Sequence, residues 1–177
     1  MPEQILVIVA VLAGAALQQV TGIGFALVAA PFLVLLLGPV DGVLLVNVCG
    51  ALTSGLILLH VLQEVDWRRY AILAPSALIG ITLGAWVVGI VPSAVLDLGI
   101  GLLLAVTLTT MLVLSASVMR PRRRYAVTAG ALSGFMNTAA GLGGPAVTVF
   151  AVATRWPLAS FRPTMQAYFL TIGSCAI

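Results

Sequence analysis

The chain has 177 residues, of which 62% are hydrophobic and only 7% charged, with a mean hydropathy of +1.21. Soluble domains carry about 25% charged residues because water must cover them, so this composition excludes a soluble enzyme. The net charge of +3 comes entirely from arginine. Those arginines are too few, and too widely interrupted by apolar runs, to form a nucleic-acid surface.

The composition implies an all-α, polytopic membrane helical bundle with the lipid bilayer as its solvent. Hydrocarbon cannot satisfy free backbone groups, and helices satisfy their own. Cys49 and Cys175 lie in apolar runs without CxxC or Cys/His spacing. They read as buried thiols packing as small hydrophobes, and no metal or other cofactor is expected.

The N-terminus, Met1-Pro2-Glu3-Gln4, lacks the basic region of a signal peptide, so the first helix is expected to be retained. A span takes about 20 apolar residues. The run Ile5 to Leu37 is too long for one span and short for two. Its middle, Gln18-Gln19-Val20-Thr21-Gly22-Ile23-Gly24-Phe25, predicts a broken helix or a re-entrant pair of half-helices. Gly38 to Gly42 reads as a turn.

Val43 to Leu62 predicts a second span. Its exit carries Trp67 and Tyr70, residues suited to the headgroup level. His60 and Glu64, four residues apart there, are expected to pair. Ala71 to Ile90 is a third span, where Gly80 and Gly84 allow another helix to approach. Val91-Pro92-Ser93 reads as a turn with Ser93 as N-cap, and Ala94 to Val118 as a fourth span. Asp97 reads as a helix-start carboxylate, with proton coupling as its functional alternative.

Arg68–Arg69 and the run Arg120, Arg122, Arg123, Arg124 fall two spans apart and therefore on one side. Loops 64–70 and 119–125 are expected to be cytoplasmic. Tyr125 to Ala153 repeats the apolar, Gly-rich, apolar pattern. The stretch Thr154 to Pro163 reads as a loop with Trp156 as an interfacial anchor. Arg155 and Arg162 there either anchor helix ends or draw anions to one mouth. The last apolar run stops at Ile177 without a cap, which reads as a second half cut short.

Gly22-Ile23-Gly24 and Gly141-Leu142-Gly143 stand 119 positions apart. At the same offset Gln18 meets Asn137, Gln19 meets Thr138 and Asn47 meets Gln166. Residues 1–119 therefore read as a first repeat, a broken helix plus three spans, and 120–177 as the start of a second. Whether the repeats are parallel or inverted turns on whether each broken segment crosses the bilayer once or twice.

Breaks of this kind persist in membranes only beside protein, water or ligand. Half-helix N-termini at such a break offer free N–H groups to an anion. The candidate substrate site is Gly141, Gly143, Gly144 and Pro145 with Asn137 and Thr138, and symmetrically Gln18, Gln19, Thr21, Gly22 and Gly24. Asn47 and Gln166 are added as isolated amides. The competing reading of these residues is packing and interhelical hydrogen bonding alone.

On these residues the chain resembles the TauE/SafE sulfite exporter (anion permease) family. The likeness rests on Gly22-Ile23-Gly24 with Pro31, on Gly141-Leu142-Gly143-Gly144-Pro145, and on Val65-Asp66-Trp67-Arg68 before Gly80, Gly84 and Val91-Pro92. The chain departs from the family's pattern at Phe25, where a further glycine is usual; that bulk is expected to narrow the first break. The resemblance implies an inner-membrane transporter, secondary and with proton coupling open, for small sulfur-containing or carboxylate anions such as sulfite or sulfonates. A passive anion channel and a non-transporting scaffold subunit are the alternatives. Scattered carboxylates and one terminal histidine argue against an intramembrane enzyme. The sequence leaves a homo-oligomer open.

Overall fold

The computed structural model describes residues 2–91, 120 and 122–177, with positions 95, 102, 105, 106, 109 and 110 between them. The expected fourth span, the Ser93 cap and Asp97 lie outside the described residues. Within them the fold is all helical.

Helix α1 (Pro2–Thr21) and α2 (Gly24–Leu37) are separated by Gly22 and Ile23. The chain folds back there, and α1 and α2 form a hairpin. Gly14 of α1 lies against the first turns of α2, and a Cβ on it would meet the Phe25 carbonyl at 3.0 Å and the Ala29 Cβ at 3.3 Å. With 14 residues, α2 is about 21 Å long, shorter than the roughly 30 Å of a bilayer core.

Helix α3 (Pro39–Val61) follows after Gly38 alone, and the 3-10 turn Leu62–Glu64 extends it. The expected turn over 38–42 is thus one residue long. Pro39 suits a first helical turn, where its missing N–H costs nothing. Gly42 serves close packing instead, since a Cβ would lie 2.6 Å from the Val34 Cα.

Helix α4 (Trp67–Ile90) starts four residues before the expected Ala71. Asp66 is the reason: its carboxylate accepts from the Arg69 amide at 3.1 Å and caps the helix. Among the described residues the expected His60–Glu64 pair does not form. His60 Nδ1 instead faces the Leu56 carbonyl at 3.1 Å, and the ion pair present joins Arg69 to Asp66 at 3.4 Å.

The second part of the chain holds α5 (Arg123–Ala140), α6 (Gly144–Ala153) and α7 (Leu158–Cys175). The loop after α6 ends at Pro157, so Pro163 lies inside α7. The extended Pro157 (ψ 132) turns its carbonyl to the Ser160 and Phe161 amides and starts the helix early.

Helices α4 and α5 pack through small residues. A Cβ on Gly80 would fall on the Ala131 carbonyl, and one on Gly134 on the Ala77 carbonyl. Gly84 sits farther along, against Phe135 and Thr138. Residue numbers rise together, so these helices run parallel, and the Gly80–Gly84 pair finds its partner in α5. By contrast α3 and α7 are antiparallel: Gly173 faces Ala51, and Gly55 faces Leu170.

Two apolar clusters result. One joins α4, α5, α6 and α7 around Leu73, Val147, Met165 and Tyr168; the other joins α2 and α3 around Phe25, Ala29 and Leu33. Trp156, expected at the interface, belongs to the first cluster. It is buried, with Arg69 stacked 4.4 Å over its ring and its indole N–H on Ser160 at 3.0 Å. Cys175 is exposed rather than buried, whereas Cys49 packs against the second cluster.

The outer surface is apolar. Leu35, Leu59, Val40 and Trp86 are exposed, and α3 with its extension (Val40–Glu64) and α4 (Trp67–Ile90) are long and apolar enough to cross a membrane. Apolar faces of this extent mark contact with a membrane or with another protein.

Candidate functional site: two helix breaks on buried amides

Each break begins with a glycine in the left-handed region, Gly22 at φ +83 and Gly141 at φ +69. The amide of Gly22 bonds to the Gln18 carbonyl at 2.7 Å, and that of Gly141 to the Asn137 carbonyl at 2.8 Å. Both are left-handed C-terminal caps, a geometry glycine adopts at no steric cost. The helix after each break opens without a side-chain cap, so its first amides depend on the surroundings for partners.

The side chains of Gln18 and Asn137 turn inward and find partners on α7 and α3. Gln18 Nε2 donates to Gln166 Oε1 at 3.0 Å and to Ser54 Oγ at 2.6 Å. Asn137 Nδ2 donates to Asn47 Oδ1 at 2.8 Å. Asn47 and Gln166 each donate back to the carbonyl one turn earlier in their own helices, Val43 at 3.1 Å and Arg162 at 3.5 Å. All four amides are at least 96% buried. Gln18 Oε1 has no partner, an unusual state for a buried carbonyl.

The breaks themselves reach across. Gly22 lies on Arg162 of α7, its carbonyl accepting from Gln166 Nε2 at 3.4 Å, and Gly141 lies on Val46 and Val43 of α3. Gly144 packs over Ile23, so the two interruptions touch. A cavity of about 30 Å³ lies between them, walled by Gln18, Asn47, Asn137, Gly141, Ile23 and Phe25 among others. A second, wider cavity of about 320 Å³ is lined by Gln19, Glu64, Arg162 and Gln166. Gln166 stands between this outer space and the inner amides.

Of the residues expected from sequence, Gln18, Asn47, Asn137 and Gly141 wall the inner cavity. Gly143 supports it: its carbonyl takes the Ser133 hydroxyl at 2.5 Å, and Asn137 lies beside it. Gly144 and Pro145 are buried in the first turn of α6. Gly24 opens α2. Gln19 faces the outer cavity. Thr21 caps its own helix end, donating to Leu17 and accepting from the Ile23 amide. Thr138 is drawn toward the α4 interface, where it meets Gly84.

Ser54, Ser133 and Phe25 are partners that polarity alone did not single out. Asn47, Gly50, Ala51 and Ser54 follow helical spacing along one face of α3, and that small, polar stripe could have located Ser54.

Apolar outer helices around two interruptions that meet on buried amides fit an integral membrane protein. The sulfite exporter TauE/SafE family model matches residues 6–177. The chain belongs to that family, and it is a membrane anion exporter rather than an enzyme. No curated protein and no solved structure matches it.

Proposed function

We propose that the protein is a secondary transporter whose anion passes between the two breaks, contacting Gln18, Asn47, Asn137 and Gln166 and the glycine backbones at Gly22 and Gly141. The observation that carries this reading is reciprocity. Gln18 pairs with Gln166, and Asn137 with Asn47, and each residue of one pair stands 119 positions from its counterpart in the other. Val43 and Arg162, which the glycines meet, obey the same offset.

Such exchange of partners is what a two-fold relation between repeats produces. The antiparallel α3 and α7, and the double-back of α1 on α2, support an inverted rather than a parallel arrangement. Inverted repeats with discontinuous helices suit alternating access around a central site. Amide N–H groups and uncapped helix starts donate to an anion without adding a buried cation that would trap it.

The inner cavity is only about 30 Å³, so passage of even a compact oxyanion requires the lining to move. Arg162 and Gln19 form the mouth on one side. By the positive-inside rule that side, where α4 and α5 start with Arg68, Arg69, Arg122 and Arg123, is cytoplasmic, and the family resemblance makes the membrane the inner one. Sulfite, sulfonates and short carboxylates are the substrates to test, with Thr21, Gly24, Thr138, Gly143, Gly144 and Pro145 shaping the breaks.

The decisive measurement is flux of each anion into proteoliposomes, with and without a pH gradient. Saturable flux of at least one of them is expected. Absence of flux for all would remove the reading; flux that saturates but ignores the gradient would remove proton coupling alone.

A further inference from the structure

We propose that the basic cavity between the starts of α4 and α5 binds a phosphate-bearing anion, either the headgroup of an anionic phospholipid or free phosphate. The cavity measures about 460 Å³ and is lined by Arg68, Arg69, Arg122 and Arg123, with Asp66 the one carboxylate among the described lining residues and Ile72 and Phe150 on its apolar wall. It shares no lining residue with the inner cavity between the breaks.

Asp66 is already committed. One oxygen caps α4 through the Arg69 amide and the other lies 3.4 Å from Arg69 Nε. Among the described residues no carboxylate answers Arg68, Arg122 or Arg123. Arg69 stacks on the Trp156 ring, and its Nη1, withdrawn from solvent, has no hydrogen-bond partner among the described residues. Helix α5 also begins without a side-chain cap. Arg124 takes no part: it does not line the cavity, and its guanidinium donates to the Tyr125 hydroxyl at 2.8 Å.

Planar guanidinium forks match the oxygens of a phosphate, singly or in pairs. The cavity sits where two parallel helices start, beside the half-exposed Trp67. Basic pockets between helices at that level are suited to anionic headgroups.

The test uses the full chain in a neutral detergent. Thermal unfolding is followed while phosphatidylglycerol, phosphatidylcholine or inorganic phosphate is titrated, and bound lipid is counted by native mass spectrometry. Phosphatidylglycerol should raise Tm with dose and phosphatidylcholine should not. Arg68→Gln, Arg122→Gln and Arg123→Gln, all at exposed positions, should each weaken the effect by about tenfold, the worth of one charge-assisted bond. An equal rise with inorganic phosphate alone would assign the site to soluble phosphate rather than lipid. No response to either phosphate source, an equal response to phosphatidylcholine, or variants that respond like the parent would overturn the proposal.

Discussion

The two breaks share a skeleton and differ in what fills it. Both end a helix on a left-handed glycine bonded to the carbonyl of a buried amide residue, and both open the next helix uncapped. At the position matching Gly144, the first break carries Phe25. That ring is 97% buried, lies against Gly14 and Gly50, and forms part of the inner cavity's wall. The first break is therefore plugged by an aromatic side chain, whereas the second is closed by Asn137, Ile172 and Ile23 packing against its glycines. They are also tied differently. Ser133 holds the second break to its own helix, while the first is held across the molecule by Gln166. Both breaks lean on a distant helix, the first on α7 and the second on α3, but the second has in addition a bond to its own preceding helix.

The largest effect should come from enlarging a glycine of the second break. A Cβ on Gly143 would already stand 3.0 Å from Ile172 Cδ1 and 3.2 Å from the Asn137 side chain. Gly143→Leu should therefore displace the Asn137 amide and lower anion flux by about a hundredfold, as loss of a positioned contact constellation does. Membrane insertion should remain normal. Parental flux in the variant would mean that the second break is not on the anion's path.

Emptying the plugged break is the converse experiment. Phe25→Ala removes a buried ring and should cost about 3–5 kcal/mol of stability. It should also make the first break resemble the second and admit longer sulfonates relative to sulfite. The ratio of the two fluxes checks this, since it does not depend on the amount of folded protein. An unchanged ratio would separate Phe25 from selectivity.

Much of this comparison was legible in the sequence, because a break inside an apolar run announces itself by polar and glycine residues. Gly22, Gly141, Gln18 and Asn137 were visible for that reason, and so was the Gly80–Gly84 packing face. The start of α4 at Trp67 was hidden, since aromatic and basic residues near a membrane edge suit both a loop and a first helical turn; the Asp66 cap decides between them. The burial of Trp156 was not readable at all. It depends on Arg69, which is remote in sequence, stacking over the ring. Likewise an amide in an apolar run declares a need for a partner without naming it. That Gln18 takes Gln166 and Asn137 takes Asn47 follows only once α3 and α7 lie antiparallel.

The unequal tethering of the breaks predicts a smaller difference. Gln18→Leu strips a donor from both Ser54 and Gln166, whereas Asn137→Leu strips one from Asn47 alone. Each buried group left without a partner costs about 1–3 kcal/mol. Loss of the already unpartnered Gln18 Oε1 offsets part of this cost, so unfolding of the purified protein should show Gln18→Leu as the more destabilised by at most about 1 kcal/mol. The reverse order would indicate that the first break is held by packing and not by its cross-molecule amides.

The smallest effect concerns the caps. Alanine at either glycine must adopt the left-handed region, at about 1–2 kcal/mol. Beyond that shared strain the surroundings differ. At Gly22 the new methyl would meet the Arg162 Cα at 3.2 Å, and a backbone atom cannot swing aside; at Gly141 it would meet the Val46 Cγ1 at 3.3 Å, the tip of a side chain that can shift. Gly22→Ala should therefore lower Tm more than Gly141→Ala. The Gly22 contact is made with α7 from the other half of the molecule, so its loss should also loosen the outer cavity around Arg162. Faster labelling of a cysteine placed at Ala159, which lines that cavity, would report it. Equal Tm shifts and unchanged labelling would mean that the first break does not lean on α7.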